Sequence, residues 1–422
     1  MAPGALIPVE SGPAEGLSIV LCGRIFQMGT RVFKFGGISL STPEGRLAAV
    51  GHCRNGVSDG SKLVVVVSAM GRNGDPYATD TLLSLVEGSP AEERDMLLCC
   101  GEVISAVVLA GALRSAGIPA KALTGWDAGI VTDGVECDSD IECVDTGPIL
   151  KALGEGLCPV VAGFQGRTSR GVITTLGRGG SDTTALAIGA ALEAEEVVLW
   201  KNVDSIYTAD PESVPSAIKI ERIGAEDLRQ MSWQGARIVH PRAAEIAVGA
   251  GIPIEVRSHD TGLPVTRVEP FVLRSGRYIT GVASGPPVVQ FTAEAPGSER
   301  PRDFHARVFG LVAGAGISMD MFSVFLGHAM FTAGAEDAPA VRNTLSAGAV
   351  QFSEAGPCAK VSIIGAGMHG MKGVMARFSA TLRDAGIDML QTVDSHATIS
   401  ALVPLADRDR ALAALHREFV ER

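Results

Sequence analysis

"KLVVVVSAM", residues 62–70, is a continuous run of β-branched and small apolar residues of the kind that fills a parallel strand with no wet face. "RVFKFGG" (31–37) precedes it as a second short apolar strand, ending in glycines. Between them, "STPEGRLAAVGHCR" (41–54) reads as a helix with a Ser/Thr cap and an acidic first turn. The series continues through "CPVVAGFQG" (158–166), "EEVVLWKNV" (195–203) and "IPIEVRS" (252–258), separated by Ala-rich helical stretches such as "SDTTALAIGAALEA" (181–194). This alternation predicts an α/β fold: a mostly parallel sheet with helices on both faces.

Near residue 260 the texture changes. "SHDTGLPVTRVEP" (258–270) is turn-rich and without strong periodicity, which predicts a linker. Beyond it lies an internal repeat at an offset of 70 residues: Val308 and Val312 match Phe378 and Leu382, and "AGIS" from Ala315 matches "AGID" from Ala385. Each copy reads as an amphipathic helix, a Gly turn and a strand. The predicted organisation is an extension over 1–29, disordered or preceding a true start at Met28; an α/β domain over 30–262; and two α+β modules over 275–422, approximately 280–355 and 356–422.

The chain has 422 residues, 46% hydrophobic and 20% charged, enough for two or three domains with sizeable cores. Its formal net charge of −11, with scattered Lys and Arg, argues against a nucleic-acid or anionic-membrane partner. The eight cysteines form no CxxC pair and read as reduced thiols of a cytoplasmic protein. No apolar run is read as approaching the roughly 20 residues of a membrane span. "LSIVLCGRIF" (17–26) lacks the basic leader and cleavage pattern of a signal peptide.

Three motifs carry candidate chemistry. In "KFGG" (34–37), glycines let backbone N–H groups approach an anion and Lys34 adds a full charge; a plain Gly-Gly turn is the alternative. In "TTLGRGGSDTTA" (174–185), Gly179 and Gly180 open a helix capped by Ser181 or Asp182, with Arg178 placed to grip a carboxylate. A self-capping helix start explains Ser181 and Asp182 but not Arg178. In "LLCCGEVISA" (97–106), Glu102 interrupts an apolar helix, where a carboxylate is costly unless it is exposed, paired or meets a ligand. Cys99, Cys100 and His240 read as structural.

Taken in order, "FKFGG", "VVVVSAMGRNGDPYATDTLL", "CGE", "VVAGFQG", "TTLGRGGSDTTALA", "YTADP" and "QGARIVHPRAAEIA" resemble the aspartate kinases of the amino-acid kinase family, closest to the monofunctional Gram-positive type. The resemblance covers residues 31–420, and the tail is similar to the family's two ACT (ferredoxin-like) modules. It implies phosphoryl transfer from ATP, carrying Mg2+, to the side-chain carboxylate of L-aspartate, at the head of lysine, diaminopimelate, threonine and methionine synthesis. It also implies a homodimer inhibited by an end-product amino acid.

Carried over by position, Lys34, Phe35, Gly36 and Gly37 would hold phosphoryl oxygens, Ser68 would line the phosphate path, and Asp182 would orient Lys34 and Mg-ATP. Lys201, Asn202, Tyr207, Thr208, Ala209, Asp210, Pro211 and Arg237 would shape the nucleotide pocket. Thr79, Glu102, Arg178, Gly179, Gly180 and Ser181 would hold aspartate, Glu102 at its ammonium and Arg178 at a carboxylate. Ser318, Asp320, Gln391 and Thr392 would meet the effector. The chain departs from the family pattern at Ile38, Lys201, Asn202, Ser205, Glu212 and Arg237, mostly around the nucleotide. The alternative is a paralogue that senses an amino acid without turning over ATP.

Overall fold

The computed structural model describes residues 29–422 apart from 87, 204, 237–238, 270–277, 298 and 369–370. The N-terminal extension, but for Gly29, therefore lies outside the described residues. The first domain opens with β1 (Thr30–Phe35), α1 (Gly37–Ser41), α2 (Pro43–Gly56) and β2 (Lys62–Val67). Thr42 caps α2 by accepting from the Gly45 amide, so the capping signal is used as written. Helices α3 (Thr79–Ser84) and α4 (Ala91–Ser115) follow, then β3 (Ala120–Leu123), β4 (Ile130–Thr132), β5 (Ile141–Val144) and α5 (Gly147–Gly154). The rest of the domain comprises β6 (Cys158–Ala162), β7 (Gln165–Arg167), β8 (Ile173–Thr175), α6 (Gly180–Ala191), β9 (Glu196–Lys201), β10 (Arg222–Gly224), α7 (Ala225–Trp233), α8 (Pro241–Ala250), β11 (Ile254–Ser258) and β12 (Pro264–Glu269).

Eight strands form one sheet in the order β10-β12-β11-β9-β1-β2-β6-β3, while β5-β4-β7-β8 form a smaller one. β1 lies parallel between β2 and β9, and the chain builds outward from it in both directions. That is a topological switch point, and the crevice beyond the carboxyl ends of β1, β2 and β9 is where such sheets bind ligands. Alternate residues of β2 enter different cores: Val64 and Val66 join the one on the side of α5 and α6, whereas Val65 and Val67 join the one on the side of α4. By the same alternation Lys34 follows Val32, and Lys201 follows Leu199, onto the α6 face.

Two expectations need correction. The stretch read as a linker contains β12, which pairs antiparallel with β11 and parallel with β10, so the main sheet continues to Glu269. A Gly262 turn and a Pro at the strand's start, tolerated near a sheet edge, disguised it. The apolar content of α4 was also underread. It is 25 residues long and, by length and hydropathy alone, could cross a membrane. Its Ala106, Leu109, Ala110 and Leu113 instead pack into the core beneath the sheet, and half of its apolar window is buried.

The tail contains β13 (Gly281–Ser284), β14 (Val288–Glu294), α9 (Pro301–Gly314), β15 (Phe322–Val324), β16 (His328–Gly334), α10 (Ala338–Ala347), β17 (Gln351–Ile364), α11 (Val374–Asp384), β18 (Gln391–Asp394), β19 (Thr398–Pro404) and α12 (Arg408–His416). One sheet runs β15-β16-β14-β17-β19-β18, with β13 also on β17. The 70-residue offset maps β14 onto the second half of β17, β16 onto β19 and α10 onto α12. It maps β13 onto the first half of β17. Each module is thus β-α-β-β-α-β, but the last strand of the second is β13, taken from upstream of the first. The first module is therefore inserted within the second, which changes the simple tandem boundary at 355.

Candidate active site

Helix α6 begins on Gly179, in the left-handed region at φ 71°, without a side-chain cap. Ser181 and Asp182 are not its caps, contrary to the plain reading, because Asp182 is drawn inward by cations. Lys34 Nζ lies 2.6 Å from Asp182 Oδ1, and Lys201 Nζ lies 2.5 Å from Oδ2. Lys34 and Asp182 are each 5% exposed. Burial works to raise the Asp182 pKa, but Lys201 and Lys34 outweigh it and hold the carboxyl below its ordinary range. Burial pushes Lys34 down, against the pull of Asp182. Two ammoniums on one carboxylate leave a net positive charge at the ends of β1 and β9.

The glycines of "KFGG" serve backbone contact. A Cβ on Gly37 would lie 2.2 Å from the Ala69 carbonyl, and the Gly71 amide donates to the Gly37 carbonyl at 3.0 Å. The Ser68 amide donates to the Phe35 carbonyl at 3.1 Å, so the loops leaving β1 and β2 lie against each other. Across them stands Glu102. Its Oε1 accepts from the Ala69 amide at 3.0 Å, whereas Oε2 is buried with no hydrogen-bond partner. Burial raises its pKa to about 8, against the Ala69 amide. The exposed-surface alternative for Glu102 is thereby removed: the residue is 2% exposed. Thr79 starts α3 nearby in sequence, Ser181 is buried, and Arg178 is exposed with no ion pair among the described residues.

His240, read as structural, packs against the turn that opens α6. A Cβ on Gly179 would fall 2.1 Å from His240 Cβ, so the turn exists only with glycine beneath this ring. Burial holds His240 below its ordinary pKa, and its Nδ1 is buried without a partner. His-Pro marks a helix start in the sequence, but not what the ring would cover. Cys99 is buried, whereas Cys100, also read as core, is exposed.

The nucleotide-loop candidates divide. Asn202 accepts from Ser39 Oγ at 2.6 Å. Asn202, Tyr207, Asp210 and Pro211, with Glu212, line one wall of a cleft of about 990 Å3, and Ser284 and Arg408 of the tail line the other. Thr208 is buried, and its hydroxyl faces His416 of α12; Ala209 borders the cleft and also packs in the core of the second module. Arg237 lies outside the described residues. In the tail, Lys360 Nζ lies 2.5 Å from Asp320 Oδ2. Gln391 is buried, accepting from Gln290 and donating to Ser323 Oγ, both at 3.0 Å. Ser318 and Thr392 are exposed.

A parallel switch-point sheet with a lysine-carboxylate cluster at its carboxyl ends points to an anion-handling enzyme, and comparison with known proteins decides which. The profile of the Amino acid kinase family matches residues 29–258, and that of the ACT domain matches 355–417. Aspartokinase 1 of Bacillus subtilis (strain 168) is 40% identical over 92% of this chain and 98% of its own length. The chain belongs to the aspartokinases. Aspartokinase of Geobacillus stearothermophilus is 37% identical over 93% of this chain and 97% of its own length. In fold, the aspartokinase lies close to Escherichia coli aspartokinase III, solved in complex with aspartate and ADP: the TM-score is 0.75 with 23% identity, covering 92% of this chain and 99% of that one. It is a kinase with an attached ACT region, and the expected α/β-plus-ACT architecture holds.

Proposed function

We propose that this chain transfers the γ-phosphoryl group of ATP to the side-chain carboxylate of L-aspartate, giving 4-phospho-L-aspartate. The observation that carries the reading is the Lys34-Asp182-Lys201 cluster at the carboxyl ends of β1 and β9. The acceptor carboxylate is ionised far below neutral pH, so no general base is required. What the reaction requires is alignment and a fixed positive field for the transferred group and the leaving ADP. Lys34, the Gly36-Gly37 backbone and Ser68 supply that field and contact on one side, and Lys201 adds a second cation. Asp182 sets the spacing of the two ammoniums without entering the chemistry. Magnesium is assigned to the nucleotide, since both Asp182 oxygens already hold ammonium groups.

Aspartate is placed by charge. Its ammonium pairs with the unpartnered oxygen of Glu102, and Arg178 at the open end of α6 takes a carboxylate, beside Gly179, Gly180, Ser181 and Thr79. The adenosine occupies the cleft walled by Asn202, Tyr207, Asp210 and Pro211. The tail binds an end-product amino acid around Asp320 and Gln391, with Ser318 and Thr392, making the enzyme a feedback-regulated cytoplasmic entry to lysine, diaminopimelate, threonine and methionine synthesis. A homodimer through the tail is supported by exposed Phe322, Val324 and Val393 on the two edge strands β15 and β18. Purified chain, Mg-ATP and L-aspartate should yield an acyl phosphate trapped as a hydroxamate. No product with ADP binding intact supports the sensor alternative; no product and no ADP binding sinks the nucleotide reading as well.

A further inference from the structure

The loop that carries "YTADP" is built into the tail. Thr208 accepts from the Ile218 amide at 2.9 Å, and its hydroxyl lies 2.8 Å from His416 Nε2 at the end of α12. The Thr208 carbonyl accepts from the Val282 amide of β13 at 2.7 Å. His416 is fully buried, and its Nδ1 lies 2.9 Å from Glu421 Oε1. The same carboxylate oxygen accepts from Ser216 Oγ at 2.6 Å, back in the loop. Ala209 and Val214 are members of the second module's core, together with Phe378, Leu412 and Leu415.

For a neutral His416 imidazole the polarity of this relay is fixed by chemistry. A carboxylate only accepts, so Glu421 selects the imidazole tautomer with hydrogen on Nδ1. Nε2 is then an acceptor, and the Thr208 hydroxyl donates to it. We propose that His416 is a positioning residue for nucleotide binding: it holds the Tyr207–Lys219 loop as one wall of the cleft, making the end of the tail a structural part of the kinase site. The proposal rests on the assignment of this loop to the nucleotide. Its physical basis is that a buried hydroxyl whose hydrogen has no acceptor is costly, so without His416 the loop loses its single docked arrangement.

The test is ADP affinity by calorimetry on the full chain, with KM for Mg-ATP and for aspartate measured in parallel. His416→Phe, which keeps ring volume and removes both nitrogens, should weaken ADP about tenfold and raise KM for Mg-ATP similarly, leaving KM for aspartate unchanged. His416→Gln, which restores an acceptor for Thr208, should recover part of the loss. Arg410→Ala, on the same helix but bonded to Gly386 and Asp407, should bind ADP as wild type does. If His416→Phe does not fold, Glu421→Ala at the exposed chain end should shift ADP affinity in the same direction. Unchanged ADP affinity in either folded variant overturns the proposal, as does an equal rise in both KM values. A wild-type chain that binds no ADP instead overturns the nucleotide assignment itself.

Discussion

Lys201 ion-pairs with Asp182 at 2.5 Å, through the carboxylate oxygen that Lys34 does not use. Neutralising that carboxylate leaves the buried Lys34 ammonium facing the partly buried Lys201 ammonium. Asp182→Asn should therefore cost about 3–5 kcal/mol of stability in urea unfolding at neutral pH, because removing one partner strands buried charge. It should also abolish hydroxamate formation.

The resemblance implies Thr in the family where this chain has Lys201 and Arg where it has Glu212, one cation gained and one lost. Lys201→Thr should raise KM for Mg-ATP at least about tenfold, the scale of a lost charge-assisted hydrogen bond. Adding Glu212→Arg to that variant should recover most of the affinity. A double variant no better than the single would show that the two positions do not compensate.

Glu102 gives a pH signature. With its pKa raised to about 8 by burial, the free carboxyl is mostly protonated at neutral pH. Binding an ammonium favours the ionised form, so aspartate binding should release a proton, and affinity should rise up to about tenfold per pH unit until pH passes 8, then level off. Glu102→Gln should bind weakly at every pH and lose the slope. Calorimetry in buffers of different ionisation heat reads the released proton directly.

Gly179 sits at φ 71°, with the place of a Cβ occupied by His240. Gly179→Ala should lose activity and at least about 1–2 kcal/mol of stability from the left-handed conformation alone. An active, equally stable variant would mean that the turn relaxes.

Asp320→Ala releases Lys360 and should remove feedback inhibition while leaving catalysis in place. Steady-state assays with lysine, threonine and meso-diaminopimelate, each against both forms, check it. Retained inhibition by the same amino acid removes Asp320 from the effector site.

The parallel sheet was legible because β2 is apolar on every residue after Lys62 and β1 is followed by glycines, signals that need no tertiary information. The inward direction of Asp182 was not legible, since a carboxylate in a helix's first turn is equally a cap until the lysines across the sheet are placed. Strand parity puts Lys34 and Lys201 on one face, but only once both strands are known to flank the same helix. β12 was missed because its turn-rich approach masked a strand near the sheet's edge. Thr208 was misplaced for a different reason: its neighbours in "YTADP" line the cleft, and no local pattern distinguishes the one residue turned toward α12.

The borrowed strand β13 also sets an order of assembly. During synthesis β13 emerges before the module that separates it from its partners at 361–364. The first module has all its strands once 351–355 is made and can close locally, whereas the second stays open until α12 is finished. The Tyr207–Lys219 wall of the cleft is thus completed only after the kinase domain has been made, and a chain cut between Glu269 and His416 carries every loop of the kinase domain yet lacks the piece that seats one of them.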